Sequence, residues 1–280
     1  MSEVMAHVGE LTQYTSRFDV AERVVVITGG AGLLGSAYSR ALGEAGARVV
    51  VADIDGATAA DIAADIGGRS LAVQVDVTDP GSVAELVRST VMTFGQVHAL
   101  VNNAAIDPKF DATSRTAHSH GFESYPLVAW KRALDVNLTG PFLCAQAFLP
   151  HLLASGTGTI VNVASTYGLV APDQRLYDDG ISTAGIKPPA YSVTKSGIIG
   201  LTRYLAAYYG AQGLRVNALV PGGVFTDHDE GFVNRYSSRT PLGRMATRDE
   251  YSAALQFLIS PASSYMTGSC LVVDGGWTAW

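Results

Sequence analysis

The sequence is poor in three features: cysteine, clustered basic charge and long apolar runs. Two cysteines, Cys144 and Cys270, are too few for the disulfide framework of a small secreted domain, so we expect buried thiols in a reducing compartment. The net charge of −6, with no basic block, disfavours nucleic acid and anionic membranes as partners. Without a secretory apolar segment or a membrane-length run, we expect a soluble, cytoplasmic protein.

The chain also lacks internal repeats, low-complexity tracts and any linker that would divide it. Because 48% of its 280 residues are hydrophobic, it can bury a large core, and its length suits one large α/β domain. We therefore expect an N-terminal arm over residues 1–17 and a single domain over residues 18–280.

Residues 24–27 form a continuous apolar run that leads into Thr-Gly-Gly-Ala-Gly-Leu-Leu-Gly at residues 28–35. Such a run is typical of a parallel strand covered on both faces, and a helical pattern follows over residues 36–45. When strand, glycine-rich turn and helix come in this order, the glycines let the backbone approach a pyrophosphate at the helix N-terminus. These residues predict the first half of a nucleotide-binding unit.

The residue that ends the second apolar run bears on the choice of cofactor. Residues 48–52 predict a strand, and Asp53 follows it about twenty residues after Gly30, where an acidic residue binds a ribose 2′-hydroxyl. Its charge would repel a 2′-phosphate, and no Lys or Arg stands in the glycine turn or directly after Asp53. The sequence therefore predicts NAD rather than NADP.

Apolar strands and helical segments alternate along the rest of the chain. Strands are predicted at 24–27, 48–52, 70–75, 97–101, 159–163, 215–219 and 270–273, and helices at 36–45, 80–94, 130–153, 191–209 and 248–259. This alternation predicts one doubly wound α/β (Rossmann) domain with a mainly parallel seven-stranded sheet. Ligands of such sheets bind beyond the carboxyl ends of the strands.

Tyr191 and Lys195 lie four residues apart at the start of a predicted helix, so both side chains fall on one face. A lysine cation beside a phenol favours the ionised form and lowers the phenol pKa towards the pH at which tyrosine acts as an acid or a base. An isolated pair at this spacing is more often one core ring and one amine that reaches solvent. The rest of the sequence decides between these interpretations.

The motifs along the chain come in a recognisable order. They are the turn at 28–35, Asp76-Val77, Asn-Asn-Ala-Ala at 102–105, Asp-Val-Asn at 135–137, Ser165, Tyr191 with Lys195, Pro-Gly-Gly-Val at 221–224 with Thr226, and Asp-Gly-Gly at 274–276. From about residue 18 to residue 280 the chain resembles the one-domain branch of the short-chain dehydrogenase/reductases. The resemblance implies an NAD-dependent oxidoreductase that interconverts a secondary alcohol and a ketone.

The resemblance also implies roles for individual residues. Tyr191 is expected to be the general acid/base, Lys195 to lower its pKa and bind the nicotinamide ribose, Ser165 to orient the substrate oxygen, and Asn137 to hold a water that links Lys195 to solvent. The expected cofactor-binding residues are Gly29, Gly32, Leu33, Leu34, Asp53, Ile54, Asp76, Val77, Asn103, Ala104, Ala105, Tyr191, Lys195, Pro221, Gly222, Val224 and Thr226. Relatives are commonly tetramers, so a homotetramer is expected, with a dimer as the alternative.

Two alternatives remain open. The turn at 28–35 has Leu33 where the one-domain branch has its middle glycine, and it looks like the turn of the extended branch, which includes sugar-nucleotide epimerases and dehydratases with tightly bound NAD. The chain after Lys195 is too short for that branch's separate substrate domain. A non-catalytic NAD-binding scaffold is the second alternative, although such a protein has no catalytic reason to keep Asn137, Ser165, Tyr191 and Lys195.

Three segments are longer than in most relatives and are expected to shape the substrate site: residues 106–129, 170–190 and 225–243. The polar composition of the second segment suggests a polyhydroxylated, sugar-like substrate, and the chain looks similar to a subset linked to bacterial surface-sugar pathways. His118 and His120 lack a paired ligand pattern, so no metal site is expected. Trp277 and Trp280 are expected under the pocket or in an interface.

Overall fold

The computed structural model describes residues 14–107, 122–177 and 186–280, and in them seven strands form one parallel sheet. The strand order is β3-β2-β1-β4-β5-β6-β7. The strands are β1 Val24–Thr28, β2 Arg48–Asp53, β3 Ser70–Gln74, β4 Ala99–Asn102, β5 Thr159–Val163, β6 Arg215–Pro221 and β7 Cys270–Val273. The predicted doubly wound single domain with a seven-stranded sheet is confirmed.

Helices cover both faces of the sheet. They are α1 Leu33–Glu44, α2 Gly56–Ile66, α3 Pro80–Phe94, α4 Leu127–Leu134, α5 Gly140–Ala154, α6 Pro189–Tyr209, α7 Glu230–Arg239 and α8 Ser252–Ile259. Successive side chains of a strand point to opposite faces. Accordingly Val25 and Ile27 of β1 pack with α1, α2 and α8, whereas Val24 and Val26 pack with α3 and α5.

Helix α3 has the predicted bounds because its ends are marked by strong local signals. The Asp79 side chain accepts hydrogen bonds from the amides of Gly81 and Ser82, Pro80 occupies the first turn, and Gly95 ends the helix in the left-handed conformation. A helix end leaves backbone groups unpaired. An N-cap carboxylate accepts hydrogen bonds from free amides, a proline in the first turn has no N–H to be paired, and glycine is favoured just past the last turn.

The predicted start of α1 at residue 36 is wrong, because the helix begins at Leu33 with Gly32 as its N-cap. Gly35 is therefore part of the helix and not of the turn. The last predicted helix also begins differently, since Arg248–Tyr251 is a 3-10 turn before α8.

The single helix predicted over residues 130–153 is also wrong. The structure has α4, a π-helical turn at Asp135–Thr139, and then α5. Pro141 in the first turn of α5 has no N–H, so it cannot donate the α-helical hydrogen bond to the carbonyl of Asn137. A single π turn between two α-helical segments is the form in which the rare π-helix mostly occurs.

Two further differences concern elements that the sequence did not indicate. Helix α7 lies inside the predicted loop 225–243, and α2 follows the turn at Asp53. The Asp55 side chain caps α2 by accepting a hydrogen bond from the amide of Thr58. Most of the predicted arm, residues 1–13, lies outside the described residues.

Some features of the composition can be checked directly. Cys144 is buried and Cys270 is partly buried, and both are free thiols. In the described part of the chain, no helix has the length and apolar character needed to cross a membrane.

Candidate active site

A cavity of about 740 Å³ opens beyond the carboxyl ends of the strands. Every site residue predicted from the sequence except Asn137 lines it. The cavity has two sides, which we call the glycine-turn wall and the aromatic wall. The glycine-turn wall consists of Gly29, Gly32, Leu33, Leu34, Asp53, Asp76 and Asn103, and the aromatic wall consists of Tyr167, Tyr177, Phe232, Tyr236 and Met245.

The glycines of the turn have different reasons to be glycine. Gly29 has a φ of +62°, and a Cβ there would lie 2.7 Å from the Cα of Ala104. A Cβ on Gly35 would lie 1.9 Å from the carbonyl oxygen of Gly29. Because these neighbours are backbone atoms, they cannot move aside without distorting the turn. The close packing directs the N-terminus of α1 at the cavity, where the helix dipole and unpaired amides favour an anion.

Asp53 lies at the end of β2 and is bonded to the turn itself. Its carboxylate accepts hydrogen bonds from the amide of Ala31 at 2.9 Å and from the amide of Asp55 at 3.1 Å. The side chain is thus held at the rim of the cavity. Ile54, its neighbour on the same rim, is largely exposed.

Asp76 and Asn103 complete this wall from β3 and β4. Hydrogen bonds from the hydroxyl and amide of Thr78 hold the pKa of Asp76 below its ordinary value. The Asn103 side-chain amide donates to the carbonyl oxygens of Thr28 at 3.1 Å and Gly29 at 2.9 Å. Asn103 thereby ties the end of β4 to the turn after β1. Val77, Ala104 and Ala105 also line the cavity.

Pro221 ends β6, Gly222, Val224 and Thr226 follow it, and all four line the cavity. A Cβ on Gly222 would lie 2.8 Å from the Cα of Asp274, so this segment packs tightly on the chain after β7. The amide of Thr226 donates to Nδ1 of His228 at 3.1 Å.

Tyr191, Lys195 and Ser165 meet at the centre of the cavity. Lys195 is buried, its ammonium donates to the carbonyl oxygen of Val163 at 2.7 Å, and its Nζ lies 5.8 Å from the centroid of the Tyr191 ring. Ser165, at the end of β5, accepts a hydrogen bond from the amide of Tyr167 at 3.2 Å. The tertiary structure therefore brings the three residues together from β5 and α6.

The electrostatics of the Tyr191 phenol differ from the sequence prediction. Burial raises the pKa of Tyr191, the Asp107 carboxylate raises it further, and the Ser165 hydroxyl acts in the opposite direction. The net effect of these surroundings is thus to raise the pKa of Tyr191, because removal of the phenol from water dominates. The expected lowering contribution of Lys195 stays a prediction. Burial also lowers the pKa of Lys195 to about 8, with Lys187 lowering it and Asp107 raising it.

Asn137 does not line the cavity, but its side chain bonds to the backbone of Ile106, which does. Its side-chain oxygen accepts a hydrogen bond from the amide of Ile106 at 2.8 Å, and its side-chain nitrogen donates to the carbonyl of Ile106 at 3.0 Å and to the Thr194 hydroxyl at 3.3 Å. Asn137 therefore joins the chain after β4 to helix α6 at Thr194, the residue before Lys195.

The aromatic wall was not identified from the sequence. The Tyr177 hydroxyl donates to the Tyr167 hydroxyl at 3.0 Å, and the Tyr236 hydroxyl accepts from the amide of Gly223 at 2.7 Å. Trp277 stacks on Tyr236 with ring centroids 4.2 Å apart, so it lies under the pocket as expected. Trp280 is 81% exposed and so does not lie under the pocket, and its place in an interface stays a prediction. Phe232 and Tyr236 lie in segment 225–243, which was expected to shape the substrate site. That expectation was the sequence signal for this wall.

A buried ion pair between Lys187 and Asp107 also escaped the sequence analysis. Lys187 is only 6% exposed, and its Nζ lies 4.0 Å from the centroid of the Tyr191 ring. The Gln174 side chain accepts a hydrogen bond from the amide of Lys187 at 2.8 Å and donates to its carbonyl oxygen at 3.2 Å. Both Gln174 and Lys187 belong to the predicted segment 170–190, in which Lys187 is the only lysine.

His118 and His120 of the first long segment lie outside the described residues, as do residues 178–185 of the second. Within residues 14–107, 122–177 and 186–280, no group of three or more His, Cys, Asp or Glu side chains is arranged to hold a metal ion.

Comparison with protein families gives one match over most of the chain. The profile described as enoyl-(acyl carrier protein) reductase matches residues 30–278. Among curated proteins, the chain is similar to cis-4-hydroxycyclohexanecarboxylate dehydrogenase of Sinomonas cyclohexanicum, with 39% identity across 92% of this chain and 98% of the relative.

Two solved structures are similar over nearly their whole length. A short-chain type dehydrogenase/reductase from Mycobacterium marinum has a TM-score of 0.80 and 30% identity, over 94% of this chain and 98% of that one. A gluconate 5-dehydrogenase from Burkholderia cenocepacia J2315, in complex with NADP and tartrate, has a TM-score of 0.82 and 30% identity, over 95% and 98%.

Proposed function

Because this chain belongs to the short-chain dehydrogenase/reductase family of oxidoreductases, we propose that it interconverts a secondary alcohol and a ketone by hydride transfer with NAD. The observation that carries the proposal is the meeting of Tyr191, Ser165 and Lys195 in one cavity, between a wall suited to a pyrophosphate and a wall suited to an organic ring. An alcohol oxidation needs a base for the hydroxyl proton and a hydride acceptor on the other side of the carbon.

Tyr191 is the acid/base residue in this mechanism. In oxidation its phenolate accepts the hydroxyl proton, and in reduction its phenol donates that proton to the ketone oxygen. The Ser165 hydroxyl donates a hydrogen bond to the same oxygen and orients it. Bound NAD supplies the hydride acceptor, and NADH the hydride donor.

Lys195 and Asn137 support the proton transfer. The Lys195 ammonium stabilises negative charge on Tyr191 and binds the nicotinamide ribose. The carbonyl of Asn137 receives no hydrogen bond from Pro141, since proline has no N–H. That carbonyl is therefore suited to hold the water of a relay from Lys195 to solvent.

The preference for NAD over NADP rests on Asp53. Its carboxylate stands at the rim beside the glycine turn, where it can accept a hydrogen bond from a ribose 2′-hydroxyl and would repel a 2′-phosphate. The remaining cofactor-binding residues are those that line the glycine-turn wall and the segment after β6. The similar gluconate dehydrogenase is described in complex with NADP, and the ratio of the rates with NAD and NADP tests this preference.

The substrate we propose is a secondary alcohol on a ring that carries further polar groups. The aromatic wall offers flat apolar surfaces for one face of a ring, while Ser165, Tyr191 and the Asp107–Lys187 pair offer polar contacts. A similar dehydrogenase is named for a hydroxylated cyclohexane ring and another for a sugar acid. A cyclic, sugar-like polyol is included in this class.

The sugar-nucleotide epimerase alternative has less support. Enzymes of that branch carry a separate substrate domain, whereas the described residues form one domain around one sheet. We also propose a homotetramer in the cytoplasm. Exposed apolar side chains on α5 and α6, namely Phe142, Val193, Tyr204 and Tyr208, are suited to contact other subunits, and a mass of one subunit by light scattering would contradict this.

The decisive experiment is a screen of NAD reduction with cyclohexanol, cis-4-hydroxycyclohexanecarboxylate, myo-inositol, gluconate and 2-octanol. We expect turnover of ring alcohols, and a fall of about 10²- to 10⁴-fold in kcat/KM for Tyr191→Phe, since a positioned acid/base contributes about that much. Tyr265→Phe, at a fully exposed tyrosine, is the matched control. Unchanged turnover in Tyr191→Phe would refute the mechanism, and turnover of 2-octanol alone would refute the substrate class.

A further inference from the structure

Among the described residues, the ammonium nearest to the Tyr191 ring is not that of Lys195. The Nζ of Lys187 lies 4.0 Å from the ring centroid, whereas the Nζ of Lys195 lies 5.8 Å away. Lys187 also lies over the Tyr167 ring, at 5.8 Å. A cation over an aromatic face is attracted by the ring and interacts most strongly when it is shielded from water. Lys187 is so shielded, with 6% of its surface exposed.

Two side-chain amides fix the ion pair at this place. Gln174 pairs with both the N–H and the C=O of Lys187. Asn137 pairs in the same way with Ile106, the residue that precedes Asp107. The backbone on each side of the Lys187–Asp107 pair is therefore held by two hydrogen bonds. Such support keeps a charged group at a constant distance from the group on which it acts.

The charged and titratable groups around Tyr191 come from every neighbouring element. Lys195 lies on the same helix, Ser165 and Tyr167 follow β5, Asp107 follows β4, Tyr177 and Lys187 belong to the segment before α6, and His228 and Tyr236 follow β6. The three charges in closest electrostatic contact are the two lysines and Asp107. Asp107 raises the pKa of Tyr191, and Lys187 lowers the pKa of Lys195, so all of these charges act on one another.

We propose that Lys187 is a positioning residue for proton transfer. Its ammonium stabilises the phenolate form of Tyr191, and the Asp107 carboxylate sets how strong that stabilisation is. The inference rests on the proposed function of Tyr191 as the acid/base. At 4.0 Å from the ring centroid, this second cation opposes the effect of burial, which still raises the pKa of Tyr191 overall. The segment that shapes the substrate site thus also tunes the reacting tyrosine.

A purely structural pair would fasten residues 174–187 to the chain after β4 and do nothing else. The two roles differ in the sign of their effects. Loss of the Lys187 charge removes a cation from beside the phenolate and raises the pKa of Tyr191. Loss of the Asp107 charge removes an anion and lowers it. A structural role predicts lower activity in both variants with no opposite movement.

The test is the pH dependence of kcat/KM for oxidation of cyclohexanol, a substrate without ionisable groups, at saturating NAD. The value of kcat/KM should rise over the pH range in which Tyr191 ionises, and we call this rise the rising limb. We expect Lys187→Met to shift the rising limb to higher pH by about one unit and Asp107→Asn to shift it to lower pH. Near neutral pH, Lys187→Met then loses about tenfold in rate, and alkaline pH restores that loss. Lys187→Arg keeps the charge and should stay near the wild-type limb, as should Lys131→Met at an exposed lysine on α4.

A double variant controls for effects on folding, and an NMR titration measures the pKa of Tyr191 without turnover. The double variant Lys187→Met/Asp107→Asn leaves no unpaired buried charge and should have a limb close to that of the wild type. Carbon-13 NMR of protein labelled at tyrosine Cζ, with NAD bound and the Tyr191 signal assigned by its loss in Tyr191→Phe, gives the same pKa without turnover. We expect ionisation of Tyr191 at higher pH in Lys187→Met than in the wild type.

The inference is overturned if Lys187→Met leaves both the rate limb and the NMR titration unmoved, or if Lys187→Met and Asp107→Asn move them in the same direction. Failure of the proposed function has a different signature. In that case Tyr191→Phe would retain wild-type turnover, whatever the Lys187 variants did.

Discussion

The glycine-turn wall presents mainly backbone and short side chains to the cavity, whereas the aromatic wall presents large rings held by one another. Residues of the first wall stand within a few positions of the ends of β1, β2, β3 and β4. Residues of the second come from three separated segments and pack as one cluster with Trp277. One wall follows from where the strands end, and the other follows from how distant segments pack.

The difference indicates which changes each wall can tolerate. A cofactor of constant shape needs backbone amides and free space at set positions, and glycine provides both. A substrate wall built of rings can change shape by exchange of single side chains while the sheet stays the same. Variants that separate these two dependences are therefore informative.

The largest effect on cofactor binding is expected from Gly35→Ala, at a residue that lies behind the glycine-turn wall and packs against Gly29. The new Cβ would stand 1.9 Å from the carbonyl oxygen of Gly29, so the turn must distort. We expect NAD affinity to fall about a hundredfold, equivalent to about 3 kcal/mol, the upper part of the usual cost of overpacking. Titration of NADH fluorescence measures it. Gly68→Ala, where a Cβ meets nothing within 4 Å, is the control, and equal affinities would contradict the assignment of this wall.

A change behind the aromatic wall should separate substrate binding from cofactor binding. Trp277→Ala removes the ring that stacks on Tyr236, and we expect a loss of about 3–5 kcal/mol in the free energy of unfolding. The KM for the ring alcohol should rise while the KM for NAD changes little. Trp280→Ala, at a side chain that is 81% exposed, should cost at most about 0.5 kcal/mol. A similar rise in both KM values would mean that the two walls are not independent.

The pH dependence tests the charges where the walls meet. Burial raises the pKa of Tyr191, so the phenol is protonated at neutral pH, as a reduction requires. Oxidation requires the phenolate, and its kcat/KM should increase by up to about tenfold per pH unit into the alkaline range. Initial rates in both directions from pH 6 to 10 measure this. An optimum for oxidation near neutral pH would contradict the raised pKa.

The smallest effect is expected for the choice of cofactor. Asp53→Ser removes the carboxylate that would repel a 2′-phosphate and keeps a side chain that can bond to the turn. We expect the ratio of kcat/KM for NAD to that for NADP to fall about tenfold, or about 1.4 kcal/mol. Asp61→Ser, at an exposed position on α2, should leave the ratio unchanged. A wild-type preference for NADP would overturn the assignment of Asp53.

Much of the sheet and of the glycine-turn wall could be predicted from the sequence. Strands β5 and β7 and helix α3 have the predicted bounds, and the residues that follow β1 and β2 line the cavity. Fully buried strands read as continuous apolar runs, so their ends are easy to recognise. The predicted helix over residues 130–153 failed because a π turn depends on the missing N–H of Pro141 and on the contacts of Asn137.

The charges around Tyr191 could not be predicted from the local sequence. The four-residue spacing of Tyr191 and Lys195 places both side chains on one helix face. The distance from each ammonium to the Tyr191 ring depends on how α6 packs. Lys187 reaches the ring because Gln174 fixes its backbone, and Asp107 reaches Lys187 across 80 positions of the chain. No periodicity or motif records such a contact.

By itself the sequence determined the sheet, the glycine turn, the acidic residue after β2 and the residues that carry the family resemblance. These depend on local propensity and on strand ends, which short stretches of sequence encode. Only the tertiary structure decided the aromatic wall, the Asp107–Lys187 pair and the raised pKa of Tyr191. Each of these depends on burial and on charges brought together from distant segments, and the electrostatic effect of a charge depends on distance and on exclusion of water.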